Sequence, residues 1–545
     1  MSRLRFQVRC ALLIGAVVPL VGCTAAPTPT ASGSPDSTAL VLAVPTEPTS
    51  LSPLAGYGAN GAAKLYDGLL EHQADLSLVP TLAADLPTPS ADGKSWTVPL
   101  RGDVKFADGT PFDAQDVIAT YKALLDPAYQ SPLRDRYSLI TNVIEVPTIA
   151  PVTASTQPST SLAAGSTATT ATTGATSKAP VPGTTVRFDL ARPYAPFPDL
   201  LVLGILPNEF LARPPAPVTQ STETAAGTGP YQLQDWKHGE SMTFKANTSY
   251  FGGAPTVARV TVQFVPDDET RAKLAREGKL DGAAVPPTVA RVFEKSDTFA
   301  VLPQRSGAVN VVTMPAANSV TADPTIRLAL NYAVDRQSMV DTALAGRGAP
   351  AYTPVSPVLA EFFEPTAKFA HDLPTAKSLL DAGGWIAGTN GIRVRNGVAA
   401  QFTVTYPAGD TVARDLATSF AADADAVGIQ VLTKIGAAAP TDATVTSVGN
   451  PFDPDLALYP LFNGDPKLGP ALEASRATTD PGQRAVAYRQ LQRTYVENPT
   501  MVVLAGADHT YLLRRNWTGY QEVTDATAQD ATWGPWWNLE SWKPR

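Results

Sequence analysis

Asp92-Gly93-Lys94-Ser95-Trp96-Thr97-Val98-Pro99-Leu100-Arg101-Gly102-Asp103-Val104-Lys105-Phe106, then Asp108-Gly109-Thr110-Pro111-Phe112 and Asp116-Val117, is the stretch that decides the architecture. Asp92-Gly93 is a hairpin-turn dipeptide, and the residues after it alternate as a half-buried strand does. Asp108-Gly109 is a second such turn. It ends beside a helical pattern over residues 113–125, in which Val117, Ile118, Tyr121, Leu124 and Leu125 share one face at 3.6-residue spacing. Asp113 is placed to cap that helix, and Asp116 adds negative charge to its first turn. Turn, strand, turn and capped helix in immediate succession are scaffold.

Outward from this block, β-branched runs predict further strands at residues 39–44, 257–265, 402–406, 429–435 and 501–504, with a strand resuming at 184–190. Helical patterns sit between them. Asp323 and Pro324 read as N-cap and first residue of a helix running toward Gly346, and residues 375–382 form a short helix closed by Gly383 and Gly384. Alternating strands and helices over this length indicate mixed α/β (α+β) layers. The 545 residues suggest three or four domain-sized units. Residues 153–178 break the pattern, because 14 of these 26 residues are Ser or Thr and none is aromatic or acidic. Such a tract cannot bury a core and reads as a disordered surface insertion; a linker between domains is the alternative.

Composition removes several function classes. Lys and Arg number 42 against 50 Asp and Glu, a net charge of −8. Without the first 22 residues, which hold three arginines and no acid, 39 basic side chains face 50 acidic ones, a net charge of −11. Nucleic-acid binding is therefore not expected, since phosphate contacts need a basic surface. Cys10 and Cys23 are the only cysteines, so the body of the chain has no disulfide framework, thiol nucleophile or Cys-based zinc site. Four histidines without an HExxH motif argue against a dedicated metal site, and no apolar run has the length of a membrane span. There is no G-x-S-x-G and no P-loop, and the adjacent Asp267 and Asp268 diverge, so no catalytic residues, metal or cofactor are expected.

At the N-terminus, Arg3, Arg5 and Arg9 precede an uncharged apolar stretch and Leu20-Val21-Gly22-Cys23. This resembles a bacterial lipoprotein signal peptide (residues 1–22), with cleavage before Cys23 and acylation of its sulfur. A plain secretory signal or a buried first helix are the alternatives. Residues 23–38, rich in Thr, Ala, Pro and Ser, read as a flexible tether. The expected location is the outer face of the cell membrane, with the lipid as anchor.

Several blocks resemble family 5 of the solute-binding proteins of ABC transporters, the peptide- and nickel-binding group. They are Tyr66-Asp67-Gly68-Leu69-Leu70, the 92–117 signature, Gly227-Thr228-Gly229-Pro230-Tyr231, residues 247–253, Ile326 to Arg336, and Asp453-Pro454-Asp455, all in family order. The resemblance implies a two-lobed periplasmic-binding-protein-like fold (type II, cluster C) with an extra insert domain. One lobe would combine residues 39–64, 184–285 and 502–545 with an insert at 65–183. The other lobe would be 286–501, with crossings near 285 and 502. It further implies a monomer that closes on a peptide-like solute and delivers it to ABC permease subunits. In peptide-binding members an Asp three residues before the DPD block pairs with the ligand's α-amino group, and an aromatic precedes it. Here those places hold Asn450 and Ser447, which suits a modified peptide or neutral solute. Glu47, Ser50, Tyr57 and Tyr231 are further candidate ligand contacts. Their alternative readings are a solvated loop charge for Glu47 and core packing for the tyrosines. Trp533, Trp536, Trp537 and Trp542 are read as packing. The rival to an importer component is an envelope lipoprotein using the same scaffold as a regulatory or scaffolding partner.

Overall fold

The computed structural model describes residues 38–147, 182–218, 224–526 and 533–545. The signal, Cys23, the tether up to residue 37 and the 153–178 tract lie outside the described residues.

Ser95–Arg101 is a strand whose Trp96, Val98 and Leu100 point inward, as its alternation dictates. It pairs antiparallel with Pro182–Leu190, which pairs in turn with Ile140–Val146; with Thr88–Pro89 these make a four-stranded sheet. Val146 lies opposite Thr185, so both flanks of the Ser/Thr tract belong to neighbouring strands of this sheet. The helix Ala114–Leu125 begins in a capping box. The Asp113 carboxylate accepts from Gln115 N at 2.7 Å, and Asp116 accepts from Asp113 N at 2.8 Å.

Ala39–Val44 sits inside a seven-stranded sheet, parallel to both Arg259–Phe264 and Gly282–Val285. His509–Arg514 and Phe299–Gln304 continue one flank, and Ser241–Ala246 and Tyr231–Lys237 the other. The four-stranded sheet packs on this unit through one continuous core that runs from Leu40 to Trp542. Gly227 and Gly229 explain how the Gly-Thr-Gly-Pro-Tyr block folds. A Cβ on Gly227 would fall 1.8 Å from the Leu65 carbonyl oxygen, so glycine is needed for close backbone approach. Gly229 N then donates to Leu65 O at 3.1 Å.

The second lobe is built on a six-stranded sheet in the order Gly348–Pro350, Val502–Ala507, Ala308–Val312, Ala443–Gly449, Gln401–Tyr406, Gln430–Ile435. Helices Pro324–Ala333, Leu373–Ala382 and Thr411–Asp425 cover one face, and Asp455–Phe462, Gly469–Ala477 and Pro481–Glu497 the other, giving two apolar layers. The helix expected to run from Pro324 toward Gly346 breaks at Val334. Asp335 accepts from Ser338 N and caps a second helix, Arg336–Thr342. A competent N-cap ends the first helix where periodicity alone would continue it.

The chain passes between the two large sheets at residues 305–307 and again at Asp508. These points lie later in the sequence than the crossings expected near 285 and 502. After Val285 the chain turns back to add Phe299–Gln304 beside His509–Arg514 before it leaves the first sheet.

Candidate functional site

Parallel strands expose their binding chemistry at their C-terminal ends. Ala39–Val44, Arg259–Phe264 and Gly282–Val285 end at Pro45-Thr46, Pro266 and Pro286-Pro287. Gln401–Tyr406 of the other lobe ends at Pro407-Ala408. All these residues line one cavity of about 420 Å³. Val445, Thr446 and Ser447 complete the second-lobe wall, with Asp508 and His509 at the crossing.

Polar groups in this cavity fall into two sets. Arg271 is spent on structure, donating to Ala284 O (2.6 Å), Val265 O (2.6 Å) and Pro266 O (2.9 Å) and pairing with Asp268. The other Asp268 oxygen crosses between the lobes, accepting from Thr411 N at 3.0 Å and Thr411 Oγ1 at 2.9 Å. His509 Nδ1 lies 2.9 Å from Asp525, which also accepts from Tyr511. The second set is less engaged. Asp410 caps Ala413 N at 2.9 Å and makes no ion pair among the described residues. Asp508 has neither a hydrogen bond nor an ion pair to its carboxylate among them, and Thr510 lines the cavity with an unpartnered hydroxyl. Burial pushes the carboxyls of both Asp410 and Asp508 above their ordinary range.

Of the six residues singled out from sequence, Ser447 lines the cavity; its hydroxyl meets Asn310 Oδ1 at 3.2 Å. Asn450 is buried beyond the cavity lining, where its Oδ1 accepts from Phe452 N (2.9 Å) and Asp453 N (3.3 Å) and shapes the turn into the next helix. Glu47 is held on its own lobe by Trp236 Nε1 (2.7 Å), His238 Nδ1 (3.0 Å) and Gly239 N (2.9 Å). Ser50 is buried, and its hydroxyl accepts from Ser52 N at 3.1 Å. Tyr57 and Tyr231 are core residues. Sequence reasoning missed Asp410 and Asp508. The signal for Asp508 is a single acid dividing two apolar β runs, and for Asp410 an N-cap placed just after a strand.

The lobes also touch away from the cavity. Phe452 stacks on His72 (centroids 3.6 Å apart, planes at 15°) and meets Trp533 edge-on at 4.9 Å. His72 is oriented by Asp199 at 3.0 Å. Beyond the four-stranded sheet, Tyr194 donates to Asp455 at 2.9 Å, and Arg476 lies 3.3 Å from the same carboxylate. The Arg476 guanidinium lies over the Tyr459 ring at 3.4 Å and the Tyr194 ring at 4.7 Å. Arg192 pairs with Glu473 and donates to Tyr459 at 3.0 Å.

The model of the bacterial extracellular solute-binding proteins, family 5 (Middle), matches residues 77–473. The chain belongs to this family. Protein XP55 of Streptomyces lividans is 38% identical over 528 residues, spanning 92% of this chain and 91% of that protein. The nickel-binding periplasmic protein of Escherichia coli K12 is 27% identical, over 67% of this chain and 65% of the relative. Among solved structures, NikZ from Campylobacter jejuni in complex with Ni(L-His) superposes with a TM-score of 0.79 at 23% identity, covering 93% of this chain and 99% of NikZ. The oligopeptide-binding protein AppA from Bacillus subtilis, with a nonapeptide, gives 0.76 at 22% identity, covering 93% and 99%. The family 5 fold, with its two lobes and the cleft between them, is thus the fold of this chain. Family 5 members bind solutes and carry out no catalysis, and this chain is a binding protein of that kind. Among the described residues no helix is long and apolar enough to cross a membrane, and no group of three or more His, Cys, Asp and Glu side chains is placed to hold a metal ion.

Proposed function

We propose that the protein is the extracytoplasmic receptor of an ABC importer, holding an oligopeptide-like or modified-peptide solute between its lobes, with Cys23 carrying a lipid anchor. One observation carries the peptide reading. Along Val445–Gly449, the strand Ala443–Gly449 is paired on one edge to Ala308–Val312, while Gln401–Tyr406 reaches only Ala443 and Thr444 on the other. That second edge is left without a ladder partner among the described residues, and Val445 to Ser447 line the cavity. An extended peptide satisfies such an edge with its own backbone amides, a recognition mode that tolerates varied side chains. Similar proteins named for glutathione binding, and AppA with its nonapeptide, agree with this class of cargo. Family membership and the order of the N-terminal blocks support the importer and anchor parts of the reading.

Calorimetric titration with short peptides and their backbone N-methylated counterparts tests it. Each lost main-chain bond is worth about 1 kcal/mol, so N-methylation at alternate residues should weaken binding several-fold per bond. Equal affinity for the methylated peptides would remove edge pairing as the basis of recognition.

A further inference from the structure

The cavity holds more negative charge than it neutralises. Its one arginine, Arg271, is consumed by three carbonyls and by Asp268. Asp508 stands at the crossing with an unbonded carboxylate. Arg305, Arg347 and His509 act on it through space, but none pairs with it; Arg347 is engaged by Glu294 at 2.9 Å and His509 by Asp525. Asp410 faces the same space from the second lobe, with one oxygen committed to its helix cap. A second, independent mark of an unfilled site is Thr510. It is 2% exposed and lines the cavity, yet its hydroxyl has no partner. Half-buried carboxylates left without counter-charge cost free energy unless something arrives to pair with them.

We infer that the solute carries a positively charged, ammonium-type group, received by the carboxylate of Asp508 with that of Asp410 opposing it from the other lobe. This rests on reading the cavity as the solute site and narrows the class of solute. An ammonium offers three donors, enough to engage a carboxylate and a neighbouring hydroxyl at once, and charge-assisted bonds are roughly twice as strong as neutral ones. A carboxylate-bearing or phosphorylated solute would meet only like charge at these two positions.

The test uses the purified full chain and three probes in calorimetry: Ala-Ala-Ala amide with a free amine, its N-acetyl form, and spermidine as a non-peptide cation. The free-amine peptide should bind about tenfold or more tighter than the acetylated one. Asp508→Asn should erase most of that difference. Asp410→Asn should reduce the difference in part, and Asn at that place still caps the helix. Circular dichroism and melting of both variants verify that they are folded. Equal binding of the two peptides by the wild type, or an undiminished preference in both variants, would overturn the cation assignment while leaving a peptide site standing. Binding of spermidine with neither peptide would keep the cation assignment and end the peptide reading. Failure of all three probes with folded protein would overturn both.

Discussion

Two of the contacts that join the lobes away from the cavity are built from opposite materials. On one side, the Phe452 ring lies on His72 and against the edge of Trp533. On the other, Arg476 is sandwiched between Tyr194 and Tyr459 and set beside the buried carboxylate of Asp455. A ring on a ring tolerates small rotations and loses little when it slides. Arg476 and Asp455 lie on neighbouring helices of the second lobe, so their pairing is internal to that lobe; what spans the lobes here is the Tyr194 hydroxyl on Asp455, the Tyr194 ring beside Arg476 and the Arg192–Glu473 pair. Hydrogen bonds and charge pairs are directional, so this contact constrains the angle between the lobes more than the ring stack does.

Breaking the ionic side should have the largest effect. Arg476→Ala leaves Asp455 buried without its cation and should cost about 3–5 kcal/mol of unfolding free energy in denaturant titration. A loss below about 1 kcal/mol would show that the charge pair is already solvated and that the contrast drawn above is false. Phe452→Ala comes next. Removing a partly buried ring and its contacts with two aromatic neighbours should weaken the contact between the lobes by roughly 2–3 kcal/mol. Its expected signature is a larger radius of gyration in X-ray scattering of the ligand-free protein, with less change in unfolding. Equal scattering profiles for variant and wild type would mean that the ring does not hold the lobes together.

The smallest effect is a pH dependence to which both sides contribute. Burial pushes the Asp453 carboxyl, which lies next to Phe452 and pairs with Arg484, up to about 7 and raises Asp455 against an ordinary 3.8, and burial likewise pushes Asp67 and Glu71 of the first lobe up to about 7. Between about pH 4 and 7 the folded state then keeps protons that the unfolded chain has released, so stability falls as pH rises through that window and levels off above it. The melting temperature should drop by a few degrees between pH 5 and 8, about 2–4 °C for each ~1 kcal/mol in a protein of this size. Phe452→Ala should retain part of this slope. A slope that vanishes with the ring would place the whole pH response on the aromatic side.

The parts of the fold legible from sequence are the local ones. The alternation of Ser95–Arg101, the Asp113 cap and the strand at Ala39–Val44 each follow from a few adjacent residues. The ordered blocks then supply the long-range topology that local pattern cannot. The cavity is legible in only one of its predicted residues, Ser447, because its walls are strand ends brought together from Thr46, Pro266, Asp410, Ser447 and Asp508. Whether a loop residue faces the cleft depends on its lobe's own neighbours. Glu47 is claimed by Trp236, His238 and Gly239, partners that only the folded sheet brings within reach.

Among the described residues two strand-to-strand passages join the large sheets, one of three residues and one of a single residue, and they lie close together. At the first, Gly307 runs so near Pro451 that a Cβ would come within 2.5 Å of its Cα, and its N–H is pinned to the Asp525 carbonyl at 2.9 Å. Crossings this short and this crowded confine bending between the halves to a few residues. A molecule held in the gap therefore touches walls that are tied together at one narrow place, so its fit to both walls bears directly on how the two halves meet.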